Sequence, residues 1–173
     1  MGKKIVLTGG VGSGKSSRAL EIAERSAEFS ARIFIATATP FDDEMREKIR
    51  LHQLERDERF KTVEEPLSPG GALERFADDP RCVAVVDCLT VWLANLSQVG
   101  EEQSRSEKEK FCEQFENFRG LVIAVTNETG MGLIPPEKQT RAYANEIATL
   151  NRRVVSLCDE AYLLVAGAAV RIK

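Results

Sequence analysis

The sequence contains a single histidine, His52, and four cysteines, Cys82, Cys88, Cys112 and Cys158, none of them in a Cys-x-x-Cys pair. That scarcity leaves too few ligands for a structural zinc site and no spacing that reads as a disulfide framework. Buried free thiols in a reducing cytosol are the simpler account. No stretch approaches the roughly 18 apolar residues of a membrane span, and the apolar run in MGKKIVLTGG is too short for a secretory signal core. A cytoplasmic protein is the expectation. Lys and Arg are spread along the chain rather than gathered into a stripe, and the formal charge is −3, so nucleic acid is not an expected partner. At 173 residues the chain fits one domain, 1–173, long enough to bury about 70% of its unfolded surface without cross-links.

What is present is an alternation of apolar runs of strand length with segments of helical period. KIVLT (4–8), RIFIA (32–36), CVAVVD (82–87), LVIAVT (121–126) and AYLLVA (161–166) read as buried strands of a mostly parallel α/β sheet. AAVRIK, after Gly167, has too few residues for a crossover and reads as a short antiparallel edge strand. Helices are expected over 15–27, 42–57, 71–78, 88–97, 104–118 and 137–158. In the fifth of these, Phe111, Phe115 and Phe118 form a single apolar stripe that reads as core contact. EEPLSPGG (64–71) reads as a loop.

Gly9-Gly10-Val11-Gly12-Ser13-Gly14-Lys15-Ser16 satisfies G-x-x-x-x-G-K-[ST], directly after an apolar strand and directly before a helical run. That is the context a phosphate-binding loop requires. Glycines let the backbone wrap a phosphate closely, the N–H groups of the loop and helix start bind the anion, and Lys15 reaches the β- and γ-phosphates. Ser16 is expected to place its hydroxyl on Mg²⁺. The site also needs an acid at the end of another buried strand, and Asp87 closes CVAVVD as the second metal and nucleotide ligand; a strand-end aspartate can equally serve as a helix N-cap.

Two further polar segments follow strands: TATPFDDEM (37–45) and TNETGMG (126–132). In an open parallel sheet, ligands bind beyond the carboxyl ends of the strands, so these segments, the P-loop and Asp87 should meet at one edge. Thr126, Asn127 and Glu128 are then placed to contact γ-phosphate or metal, with simple turn chemistry in NETG as the alternative. A signalling GTPase would carry DxxG and NKxD, and neither is present at the corresponding places: Asp87 leads into DCLT and Asn127 into NETG.

TGGVGSGKS, FIATATPFDDEMREKIRLHQ, TVEEP, VVDCLTVWLANL, VTNETGMGLIP and DEAYLLVAGAAVRIK, in this order and from the P-loop to the last residue, resemble the bifunctional adenosylcobinamide kinase and adenosylcobinamide-phosphate guanylyltransferase family. The resemblance implies a P-loop NTPase-type, RecA-like domain in a homotrimer. It implies phosphorylation of the aminopropanol hydroxyl of a corrinoid, adenosylcobinamide, with GTP or ATP and Mg²⁺, followed by transfer of GMP from GTP onto that phosphate. It adds Glu65 to the nucleotide-binding residues Gly9 to Ser16 and Asp87, makes Lys15 and Glu128 catalytic, and places the guanylyl carrier at His52. Two narrower outcomes remain open: guanylyl transfer alone, or a regulatory protein whose P-loop senses GTP.

The carrier role is chemically reasonable. A neutral imidazole is a good nucleophile toward an α-phosphorus, and a covalent intermediate splits one hard transfer into two. On a helix His52 has Lys48 and Arg56 as i−4 and i+4 neighbours, like charges that favour the neutral ring and attract a polyphosphate. A helix starting near Asp42 would carry His52 about 15 Å from that start. The ring therefore reaches a nucleotide either by its helix folding over the site or by serving a neighbouring subunit. The chain departs from the family pattern at Gly12, where a basic residue is common, and at Leu51, where a second histidine is common. It departs also at Asp57, Phe60 and Asn145.

Overall fold

Apolar residues that alternate in facing, yet are buried on both sides, dictate the centre of the molecule. In the computed structural model, which describes residues 2–25, 29–39, 47 and 59–173, they form one seven-stranded sheet. The strands are β1 (Lys3–Gly9), β2 (Ala31–Ala36), β3 (Phe60–Glu64), β4 (Cys82–Asp87), β5 (Leu121–Val125), β6 (Glu160–Val165) and β7 (Ala168–Arg171), in the spatial order β3-β2-β4-β5-β1-β6-β7. β1 to β6 pair parallel to their neighbours; β7 returns antiparallel on β6 as the edge strand.

The helices are α1 (Lys15–Arg25), α2 (Pro69–Glu74), α3 (Leu89–Leu96), α4 (Glu101–Asn117) and α5 (Lys138–Leu157). Ile5, Leu7, Phe34, Val83, Val85, Ile123 and Val125 pack with Ala19, Leu20 and Ala23 of α1 on one face of the sheet. Val6, Ile33, Ile35, Ala84, Val86, Val122 and Ala124 project the other way, into a larger core built from α2 to α5. In that core Trp92 of α3 lies 5.1 Å from the Phe111 ring, which stacks on Phe115 at 5.8 Å. The phenylalanine stripe of α4 is therefore core, and Phe111, Phe115 and Phe118 are fully buried.

Three boundaries differ from the sequence expectation. β3 is not anticipated by the pattern, because FKTVE buries only Phe60 fully and exposes Lys61, Thr62 and Glu64; among the described residues it pairs on one side only, so it does not need the unbroken apolar run of an interior strand. α2 spans Pro69–Glu74 rather than 71–78, starting inside the stretch read as loop, since proline is accommodated in the first turn where its missing N–H costs nothing. α4 begins at Glu101, and Glu101 and Glu102 in its first turn complement the positive end of the helix dipole. The helix expected over 42–57, with His52, Leu51 and Asp57, lies outside the described residues apart from position 47.

The register carries the functional consequence. Glu64, Ala36, Asp87, Val125, Leu7 and Tyr162 are successive Cα partners across six strands. The residues that follow them in the chain, Glu65, Thr37, Cys88 and Thr126, with Gly9 and its loop, leave the sheet at its carboxyl edge together.

Candidate active site

Gly9 ends β1 with φ +148°, and Gly12 and Gly14 have φ +70° and +90°. A Cβ on Gly9 would lie 2.3 Å from the Leu164 carbonyl oxygen, so only glycine lets the chain leave the sheet there. The backbone of Gly10, Val11, Gly12 and Gly14 is exposed, while the Ser13 and Lys15 side chains are buried beneath it. Lys15 Nζ donates to Gly10 O at 2.5 Å and to Ser13 Oγ at 3.4 Å, which holds the ammonium against the loop. Ser16 is the second residue of α1 and is half-buried. The helix thus delivers a positive N-terminal dipole, an ammonium and a hydroxyl to one place, an arrangement suited to a polyphosphate.

Asp87 ends β4 two strands from β1, with β5 between them, so about 10 Å separates their backbones. The distance suits a carboxylate that reaches the P-loop serine through a cation and its waters rather than directly. Asp87 does not cap α3. The cap is Cys88, whose Sγ accepts from Val91 N at 3.5 Å. Burial and the adjacent Asp87 charge push the Cys88 thiol up to about 11, against opposing pulls from the Val91 and Thr90 N–H groups and from Lys15. Asp87 and Lys15 thus pull the same sulfur in opposite directions. Ser16 and Asp87 offer hard oxygen donors of the kind Mg²⁺ takes. Among the described residues no group of three or more His, Cys, Asp or Glu could hold a metal, so a cation here would complete its shell with phosphate and water oxygens.

The other segments converge as the register requires. Thr37 Oγ1 donates to Cys88 O at 2.9 Å and accepts from Cys88 N at 2.8 Å, joining the end of β2 to the end of β4. Asn95 Nδ2 donates to Thr37 O and Pro66 O at 2.8 and 3.0 Å, and Trp92 Nε1 donates to Leu67 O at 2.9 Å, so α3 fixes the loop after β3. Glu65 is half-buried at that loop; its Oε1 accepts from Ser68 N at 3.0 Å and Leu67 N at 3.3 Å, shaping the turn into α2. Glu128 N donates to Gly9 O at 3.1 Å, which brings the segment after β5 onto the P-loop, and its Oε1 accepts from Gly130 N at 2.9 Å. Turn chemistry in NETG is thus observed, and it coexists with placement at the site.

Thr90, Asn95, Tyr143 and Asn151 escaped the sequence reading. Only Asn151 left a trace: it interrupts the apolar stripe Ile147, Leu150, Val154 on α5, where an amide is out of place unless it has partners inside. His52 lies outside the described residues, and Gly9 to Ser16, Glu65, Asp87 and Glu128 all lie along the carboxyl edge.

A sequence model of the family described as cobinamide kinase / cobinamide phosphate guanyltransferase matches residues 5–172. The chain belongs to this family. Its match spans the sheet, the P-loop and both segments that meet it, and the chain is accordingly a transferase. A bifunctional adenosylcobalamin biosynthesis protein CobP from Pseudomonas aeruginosa is 36% identical over 97% of this chain and 96% of its own length. A bifunctional adenosylcobalamin biosynthesis protein CobU from Escherichia coli is 29% identical over 98% and 99% of the two chains. In shape the cobinamide kinase / guanyltransferase chain is similar to the ATPase domain of G40P, with a TM-score of 0.53, 11% identity and coverage of 94% of this chain and 69% of that one. It is also similar to an ATPase from a bacterial type III secretion system, with a TM-score of 0.54, 13% identity and coverage of 95% and 52%. These likenesses establish the RecA-like P-loop fold. No helix among the described residues is long and apolar enough to cross a membrane.

Proposed function

We propose that this chain phosphorylates the hydroxyl of adenosylcobinamide with GTP or ATP, then transfers GMP from GTP to the resulting phosphate by way of His52, releasing pyrophosphate. The observation that carries the reading is the meeting of the P-loop, Asp87 and the Thr126–Glu128 segment at one sheet edge, in a chain matched to this family over nearly its whole length.

In the kinase step N–H groups of the exposed loop residues Gly10, Val11, Gly12 and Gly14 bind the β- and γ-phosphates, and Lys15 moves from its loop acceptors onto the transferring group. Ser16 and Asp87 would hold Mg²⁺, which when bound would supply positive charge against the polyphosphate. Glu128, whose backbone N–H bonds Gly9 O, takes the proton of the attacking hydroxyl in this reading. Glu65 contributes to the nucleotide from the loop after β3. In the second reaction a neutral His52 nitrogen attacks the α-phosphorus of GTP; the bond to the pyrophosphate oxygen breaks, and the corrinoid phosphate later displaces the histidine, regenerating the free ring.

The test is stoichiometric. With adenosylcobinamide alone and ATP, the enzyme should convert one nucleotide to its diphosphate per phosphorylated corrinoid; with adenosylcobinamide phosphate and GTP it should release one pyrophosphate per GMP conjugate. No nucleotide consumed in the first assay, with pyrophosphate still formed in the second, would restrict the protein to guanylyl transfer. No turnover in either would leave a nucleotide-sensing protein.

A further inference from the structure

Four polar groups from three separate elements close a hydrogen-bonded ring behind the P-loop. Asn127 N donates to Thr90 Oγ1 at 2.7 Å. Thr126 Oγ1 donates to Asn151 Oδ1 at 2.7 Å, and Asn151 Nδ2 donates to Asn127 O at 3.0 Å. The Thr90 and Thr126 hydroxyl oxygens are 3.4 Å apart. Because the Thr126 proton is already committed to Asn151, the proton between the two threonines comes from Thr90. The order is therefore unique: Asn127 N–H to Thr90, Thr90 to Thr126, Thr126 to the Asn151 carbonyl, and the Asn151 amide back to Asn127 C=O. The amide cannot be flipped, since Oδ1 facing Asn127 O would set two acceptors against each other.

Both backbone polar groups of Asn127 are consumed by this ring, which fixes the peptide planes on either side of the residue. Thr90, Thr126 and Asn151 are 9%, 0% and 7% exposed, so water does not readily replace any link. The next residue, Glu128, donates its N–H to Gly9 O of the P-loop. Thr90 stands three positions after Asp87 in the first turn of α3, and Tyr143 OH of α5 donates to the Thr90 carbonyl at 2.7 Å. Burial pushes the Tyr143 hydroxyl up to about 12, so it remains a donor throughout the working range of pH. One ring thus references three things to each other: the acid-bearing end of β4, the segment after β5, and the P-loop.

We infer that Asn151, with Thr90 and Thr126, is a positioning residue that holds Asn127 and Glu128 at the reacting phosphate. It touches no reacting atom; it sets the backbone from which those side chains project. The inference deepens the reading under Proposed function and rests on it for the identity of the reaction, though not for the existence of the ring.

Asn151→Asp keeps volume and the acceptor for Thr126 but sets an oxygen against Asn127 O. Thr126→Val removes the hydroxyl at nearly constant shape, and Thr126→Ser returns it. The intact protein and these variants are compared by GTP affinity, by kcat and KM for each half-reaction, and by amide exchange of peptides covering 126–133. Asn151→Asp and Thr126→Val should keep GTP affinity and nucleotide KM within about twofold, lose roughly ten- to a hundredfold in kcat, and exchange faster over 126–133, while Thr126→Ser recovers kcat and protection. If Asn151→Asp fails to fold, the Thr126 pair decides. Wild-type kcat or exchange in Thr126→Val, equal loss in Thr126→Ser, or a loss confined to nucleotide affinity would each overturn the inference. A wild-type protein inactive on corrinoids but with exchange sensitive to Thr126→Val would sink the proposed reaction and spare the ring's grip on the loop, so the two failures are distinguishable.

Discussion

Cys88 shows what the fold does to one side chain at the site. It follows the acid of β4 and caps α3 with its sulfur; burial first, then the Asp87 charge, push its thiol up to about 11, with Lys15 pulling the other way. The thiol therefore adds no charge to a region whose electrostatics belong to the lysine and the carboxylate. The fully buried Cys82 is pushed further, to about 12, by burial and by Asp79. The consequence for stability has a definite sign. Below about pH 9 both thiols are protonated in the folded and unfolded chains, and their contribution is fully present. Above it the unfolded thiols ionise while the folded ones keep their protons, so unfolding releases protons and stability declines across about pH 9 to 12. Denaturant titrations from pH 8 to 11 should show that decline, on the order of 2 kcal/mol for Cys88, and Cys82→Ala with Cys88→Ala should make it visibly shallower. An unchanged slope in the double variant would show that other groups set it.

Among the elements, α2 and β3 mark where local pattern misleads. A proline followed by two glycines reads as a break, yet Pro69 begins a helix and Gly70 is the point where that helix meets α4. A Cβ on Gly70 would lie 2.8 Å from Phe111 N and 2.9 Å from its Cα, backbone atoms that cannot swing aside. Gly70→Ala is expected to destabilise the protein by about 1–3 kcal/mol despite the better helix propensity of alanine, as overpacking at a helix crossing outweighs it. A melting temperature equal to or above wild type would contradict the packing argument. The P-loop, by contrast, was legible residue by residue, because its glycine spacing states a conformation: Gly9, Gly12 and Gly14 all have positive φ. The five apolar runs were legible because strands buried on both faces need continuous hydrophobicity, and β3 was not, because one paired edge and an exposed side relax that need.

At the scale of the molecule, the carboxyl edge of the parallel sheet brings Gly9 to Ser16, Glu65, Asp87 and Glu128 together, and that convergence follows from the strand pattern alone. The ring through Thr90, Thr126, Asn127 and Asn151 did not, since it joins positions 24 to 37 residues apart. Such pairings exist only once β5, α3 and α5 are packed; the sequence offers a misplaced asparagine and no partner for it. The proposed function assigns these parts to two consecutive transfers, the second by way of the chain's one histidine. The decisive measurement is therefore covalent labelling with GTP carrying label at the α-phosphate, without any corrinoid acceptor. The account predicts a stoichiometric GMP adduct that is labile to acid, stable to base, discharged by adenosylcobinamide phosphate and absent from His52→Asn. A labelled His52→Asn protein, or full guanylyl transfer by that variant, would contradict it.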